Sequence, residues 1–189
     1  MDLPKPTALD LALPDPLPAD VAELFGKCQA KLGLIPNVLV AYAFNPEKLA
    51  AFGQMYNDLM LGPSGLSKLE REMIAVVVSA QNRCWYCQVA HGAAVRVLSG
   101  KPELGEAMVM NYRVADLSAR EREVLDFAMK VTVASAEIEE PDRTTLRDVG
   151  LSDADIWDIA AIAGFFNMSN RMASAVGMVP NPDYHAQGR

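Results

Sequence analysis

The chain has 189 residues, 51% hydrophobic and 22% charged, with a net charge of −7. That length is most simply one domain with a sizeable core. The acidic balance argues against nucleic acid or an anionic membrane surface as the main partner, since both demand a basic face. No apolar run approaches the ~20 residues of a membrane span. No signal pattern is expected, because Met1-Asp2-Leu3-Pro4 is acidic and broken by proline. Three cysteines are too few for a disulfide framework. A reducing cytoplasm is the expected compartment, where a close CxxC is more often redox-active or metal-binding than structural.

Five of the twelve prolines fall in residues 1–18. Proline fixes φ and removes a backbone donor, so 1–18 reads as an extended arm that packs on its own domain or on a neighbouring subunit. A helical domain over 19–180 follows, and then an irregular tail over 181–189. Val21, Leu24, Phe25, Cys28 and Leu32 keep helical spacing up to Gly33. Cys28 on that stripe reads as a small buried hydrophobe. Asn45-Pro46 starts a second helix, with Leu49, Phe52, Tyr56 and Leu59 on one face. Ser67 and Glu70 form a capping box, and residues 73–80 are apolar on nearly every side, which predicts a buried helix. Gln81-Asn82-Arg83 breaks it. The next helix runs from about Cys84 to Ser99 and stops at Gly100. Pro102 opens a short helix to about Tyr112. Ser118 and Glu121 cap another, to about Ser135. Residues 144–149 form a short amphipathic piece. Ser152 with Asp155 opens a last apolar stretch, interrupted near Gly164, that ends about Gly177. The class is all-α.

One internal echo stands out. Leu66-Ser67-Lys68-Leu69-Glu70-Arg71-Glu72 matches Leu117-Ser118-Ala119-Arg120-Glu121-Arg122-Glu123 at five of seven positions. Convergent capping and a duplicated unit explain it equally well. The second copy carries Ser135 and Ile138 where the first has Cys84 and Cys87.

Cys84, Cys87 and His91 fall within about 60° of one another around a helix. Val95 and Leu98 continue the stripe, so this face points inward. Cys84 lies at the helix start, where unpaired N–H groups and the macrodipole favour a thiolate. His91 follows Cys87 at i+4, and imidazole can take its proton directly or through one water. Thiolate attack on a peroxide leaves a sulfenic acid, which the second thiol condenses to a disulfide. An outside dithiol must then reduce it. Glu72 is the candidate carboxylate for His91. The same four residues also supply a mixed zinc set, although no second distant pair of ligands exists. A third reading is a helical scaffold whose CxxC is a redox latch.

Glu72, Cys84, Cys87 and His91 give the pattern Glu-x11-Cys-x2-Cys-x3-His. With Gly33-Leu34-Ile35-Pro36-Asn37 and 165–173, the chain resembles the AhpD-like, peroxidase-related branch of the carboxymuconolactone decarboxylase family over about residues 20–184. The resemblance implies an oligomeric all-helical fold, as a dimer, trimer or hexamer of one chain. It implies hydroperoxide reduction without a cofactor or metal, and recharging by a lipoyl or thioredoxin-like protein. Carried over, Cys87 is the peroxide-reactive thiol, Cys84 the resolving thiol, His91 the base and Glu72 the relay carboxylate. The best-studied branch has histidine just before the second cysteine, whereas Tyr86 stands there in this chain. Trp85 and Tyr86 read as mouth of the site or core, Trp157 as core or interface, and Asn170 and Arg171 as pocket lining or interface.

Overall fold

The structure is a computed structural model that describes residues 5–189. Residues 1–4, with the first proline of the arm, lie outside the described residues. Among the described residues there are nine α-helices and no strand. They are α1 Ala19–Leu32, α2 Asn37–Tyr42, α3 Pro46–Leu61, α4 Lys68–Gln81, α5 Trp85–Ser99, α6 Pro102–Asn111, α7 Ala119–Val133, α8 Glu140–Asp148 and α9 Asp153–Ala175. The all-α, single-domain expectation holds. No helix among the described residues is long and apolar enough to cross a membrane.

Local chemistry sets most boundaries. Gly33 ends α1 at φ 74°, a left-handed value that only glycine adopts cheaply. Asn45 caps α3, its Oδ1 accepting from the Lys48 N–H at 2.9 Å. The capping boxes of Ser67, Ser118 and Ser152 all form. Three elements differ from expectation. The short helix α2 has no long periodic pattern to announce it. Helix α8 starts at Glu140 rather than near Thr144, because Glu139 and Asp142 cap each other around Pro141 in the first turn. Helix α9 runs unbroken through Gly164. That residue faces open space while Ala163, Phe165 and Phe166 are buried, so packing outweighs the roughly 1 kcal/mol glycine penalty.

Helix α4 is the hub. It packs against α3, α5, α6, α7 and α9. Residues 73–78 are at most 1% exposed, as a helix apolar on all sides requires. Its charged start is tied down from behind. Buried Arg71 donates to the carbonyls of Leu66 (3.0 and 3.2 Å), Gly62 (2.8 Å) and Leu59 (3.3 Å). Arg122, its counterpart in the sequence echo, reaches back to the Tyr112 and Ala115 carbonyls in the same way. Arg120 joins the two copies, donating to Glu70 Oε1 at 2.8 Å and to the Gly65 carbonyl at 3.0 Å.

The segments flanking the helical core meet each other. The Asn37 N–H donates to Asn181 Oδ1 at 2.8 Å, and Asn181 Nδ2 donates to the Ile35 carbonyl at 2.9 Å. The Ala8 N–H donates to the Val176 carbonyl, and the Val179 N–H to the Pro6 carbonyl.

Arg71→Met is expected to destabilise the protein by about 2–4 kcal/mol, because it leaves three inward carbonyls without donors. Arg122→Met, at a half-buried site, is expected to cost less. Urea denaturation of the two variants checks the order.

Candidate active site

The spacing between Glu72 and His91 has a geometric cause. Helix α4 ends in a tight reversal. The Asn82 N–H donates to the Val78 carbonyl, the Arg83 N–H to Ala80, and the Cys84 N–H to Ser79 at 3.0 Å. Arg83 takes φ 55° there, a left-handed conformation costing about 1–2 kcal/mol for a residue with a Cβ. Helix α5 then runs back along α4. Glu72 lies seven residues before Ser79, and His91 seven after Cys84. Both distances are about 10.5 Å of helix, so the two side chains come level. His91 Nδ1 and Glu72 Oε2 are 2.7 Å apart, each side chain 12% exposed. The edge of the His91 ring meets Phe166 at 4.7 Å between centroids. The carboxylate fixes the ring orientation and leaves Nε2 as the free nitrogen.

The two cysteines form a second pair. Cys84 is the N-cap of α5 and Cys87 lies in its first turn. Both are free thiols, 1% and 2% exposed. The hydrogen bond from Cys87 holds the Cys84 thiol well below the ordinary range against its burial, with help from the Ser174 side chain and the nearby His91. Cys87 moves the opposite way. Its proton is committed to Cys84, and burial and the Cys84 charge add to that. The pair therefore favours negative charge on Cys84 and a proton on Cys87. Among the described residues, no direct hydrogen bond joins His91 to either sulfur.

The pairs meet through a cavity of about 970 Å³ lined by Glu72, Cys87 and His91. Its other walls are largely apolar and aromatic, including Leu24, Leu49, Phe52, Tyr56, Phe165 and Phe166. The volume lies at the upper end of small-molecule sites. Cys84 sits behind Cys87, packed with Tyr86, Ala173 and Met178. Tyr184 and Gln187 from the tail complete one wall. Cys28 also lines the cavity and is half-buried rather than in the core. Tyr86 is buried, with its hydroxyl accepting from the Val38 N–H at 3.2 Å, while Trp85 points outward. Burial pushes the Tyr86 phenol up, so it stays neutral where the best-studied branch has a histidine. Trp157 is 75% exposed and is not core. Arg171 donates to the carbonyl and side-chain oxygens of Asn167. Asn170 is fully buried. Among the described residues, no three His, Cys, Asp or Glu side chains converge on a metal-sized centre.

The family model for the carboxymuconolactone decarboxylase family matches residues 46–111, which hold all four residues of the two pairs. An uncharacterized peroxidase-related protein from Silicibacter sp. TM1040 is 66% identical, with a TM-score of 0.96 over 100% of this chain and 99% of that one. An uncharacterized peroxidase-related protein from Ralstonia eutropha JMP134, described as an alkylhydroperoxidase AhpD core, is 43% identical. Its TM-score is 0.94 over 99% of this chain and 98% of that one. The debrominase Bmp8, solved with 2,3,4-tribromopyrrole, is 19% identical with a TM-score of 0.78 over 96% of this chain and 97% of that one. At that identity the likeness shows the fold alone. No curated protein matches the chain.

Cys87→Ala removes the donor that holds Cys84 low. The pH profile of iodoacetamide alkylation at Cys84 is expected to move up toward an ordinary thiol. In the wild type, alkylation at Cys84 persists below the ordinary thiol range and falls only as pH drops through its lowered value. Mass spectrometry of the adduct against pH checks both.

Proposed function

The chain belongs to the AhpD-like carboxymuconolactone decarboxylase family, and we propose that it is a thiol-dependent peroxidase recharged by an external dithiol. The observation that carries this reading is the reduced Cys84–Cys87 pair opening, through Cys87, onto the cavity that also holds the Glu72–His91 pair. The apolar walls favour an organic hydroperoxide over hydrogen peroxide.

The cycle uses the two pairs in turn. A hydroperoxide in the cavity meets Cys87, while Cys84 stays behind it. The Cys87 proton passes to the neighbouring Cys84 sulfur. The Cys87 thiolate then attacks the terminal peroxide oxygen. The S–O bond forms as the O–O bond breaks, and the leaving alkoxide takes a proton relayed through His91. Cys87 is now a sulfenic acid. Cys84 returns its proton to the relay and attacks the Cys87 sulfur. Hydroxide leaves and is protonated to water as the disulfide closes. One proton taken up from solvent through His91 leaves in the alcohol, the proton that began on Cys87 leaves in water, and the two electrons come from the sulfurs. A dithiol, protein-borne or small, reduces the disulfide by exchange. Glu72 orients the His91 ring. A zinc site has less support, because the four residues face each other as two pairs rather than a common centre.

Reduced protein given an organic hydroperoxide is expected to consume one equivalent and form the Cys84–Cys87 disulfide, with turnover only when dithiol is added. Cys87→Ser abolishes consumption. Cys84→Ser leaves a sulfenic acid on Cys87 that dimedone traps. If hydroperoxide leaves both wild-type thiols free, the peroxidase reading is wrong.

Glu72→Gln keeps the shape of the pair and removes its charge. Turnover is expected to fall roughly 10–100-fold with the unfolding midpoint nearly unchanged, measured by steady-state kinetics and thermal denaturation.

A further inference from the structure

The cavity onto which Cys87 opens is long, and its two ends differ. On α5 its wall is Cys87, Ala90, His91, Ala94, Val97 and Leu98, one face that follows the helix for about 16 Å. Cys87 is buried at the inner end of that face, whereas Val97 and Leu98 at the outer end are exposed. Helix α4 runs antiparallel to α5 with Glu72 level with His91, and it adds one further wall residue, Lys68. Lys68 lies one turn outward from Glu72, and Cys87 one turn inward from His91. The lysine and the thiol are therefore about 12 Å apart along the helix axes. Lys68 is the only lysine or arginine of the wall. It is exposed and enters no salt bridge among the described residues. The negative charges of the wall are Glu72, held by His91, and Asp20 on α1. Between the two ends the wall includes Gly53, inside α3, with no atom of another segment within 4 Å of where its Cβ would stand. Glycine disfavours a helix interior, and here the missing side chain is cavity volume.

We propose that the cavity is a channel for a single-chain hydroperoxide with a carboxylate head, the head held by Lys68 at the mouth and the peroxide presented to Cys87 within. The inference rests on the reading of this cavity as the hydroperoxide site. An extended chain advances about 1.2 Å per bond, so the spacing selects a peroxide about ten bonds from the carboxylate. That is the layout of an oxidised long-chain fatty acid. A short alkyl hydroperoxide at Cys87 does not reach the lysine. The two parts of such a substrate have separate tasks. Its methylenes gain from the apolar walls, which supply most of the affinity. Its single negative charge meets a single ammonium, which fixes how far the chain enters and so where the peroxide stops. The sulfur chemistry is unchanged, and the alcohol released is the corresponding hydroxy acid.

The test separates binding from chemistry. Dodecanoate carries no peroxide and is long enough to run from Lys68 to Cys87. Calorimetry should show it binding the reduced wild type more tightly than dodecanol, with the margin shrinking as salt is added. Bound dodecanoate should slow iodoacetamide alkylation of the Cys84–Cys87 pair. Lys68→Gln should narrow the margin of dodecanoate over dodecanol by roughly threefold to fivefold. The KM preference for linoleic acid hydroperoxide over its methyl ester should shrink by the same factor. Asp20→Asn, a charge change at the same wall, should bind dodecanoate no more weakly than wild type. Gly53→Leu fills the channel and should abolish the shielding of the thiols, with an unfolding midpoint no lower than wild type. Lys68 is exposed, so its variant decides whatever Gly53→Leu does. Dodecanoate that binds Lys68→Gln as it binds wild type, or leaves the wild-type thiols unshielded, would overturn the proposal. Equal weakening in Asp20→Asn would overturn it too. Binding and shielding in a protein that consumes no hydroperoxide would sink the peroxidase reading and leave the carboxylate channel standing.

Discussion

The reversal at Asn82-Arg83 is the constraint on which the site depends. It places the Cys84 N–H on the Ser79 carbonyl, which fixes where α5 begins relative to the end of α4. From that one hydrogen bond, equal lengths of helix carry the chain back to Glu72 and forward to His91. A residue more in either arm would rotate one side chain by about 100° and break the pair. The same reversal makes Cys84 a helix cap, where the unpaired N–H groups of the first turn face a sulfur. Arg83 holds a left-handed conformation to achieve this, and the surrounding packing absorbs the cost.

Burial raises both thiols, and their interaction with each other pulls the two cysteines in opposite directions although they stand three residues apart. Neither sulfur reaches solvent appreciably, so two negative charges in that space are prohibitive. One shared proton relieves this, and the interaction of the sulfurs favours its place on Cys87. The cap position and Ser174 favour charge on Cys84, while the cavity touches Cys87. The sulfur that favours charge and the sulfur that lines the cavity are thus different atoms.

Much of this was legible in the sequence because it is local. Capping boxes, terminating glycines and the apolar run of α4 are written in neighbouring residues, and so is the arithmetic that pairs Glu72 with His91. The misses have physical causes too. Helix α2 has only six residues, too few for a period to register. Gly164 signals a break by itself, but buried neighbours on both sides override it. Cys28 shares the apolar stripe of α1, yet that stripe faces a cavity rather than solid core, and a period cannot tell empty space from filled. Asn170 looked like a pocket or interface residue because its partner Ser79 is 91 residues away. Nothing near it in the chain reveals a link that only the folding of α9 against α4 creates.

The order in which the centre is assembled follows from where its parts lie in the chain. Glu72, Cys84, Cys87 and His91 leave the ribosome as one contiguous hairpin, α4 with α5. Ala173 of α9, which packs with both cysteines, and the cavity wall carrying Tyr184 and Gln187, are synthesised some eighty residues or more after the cysteines. During synthesis the thiols exist before the helix that shields Cys84 and before the wall that narrows access to Cys87. A nascent chain therefore carries both thiols before the elements that bury them exist, and their burial is completed only by the last third of the chain.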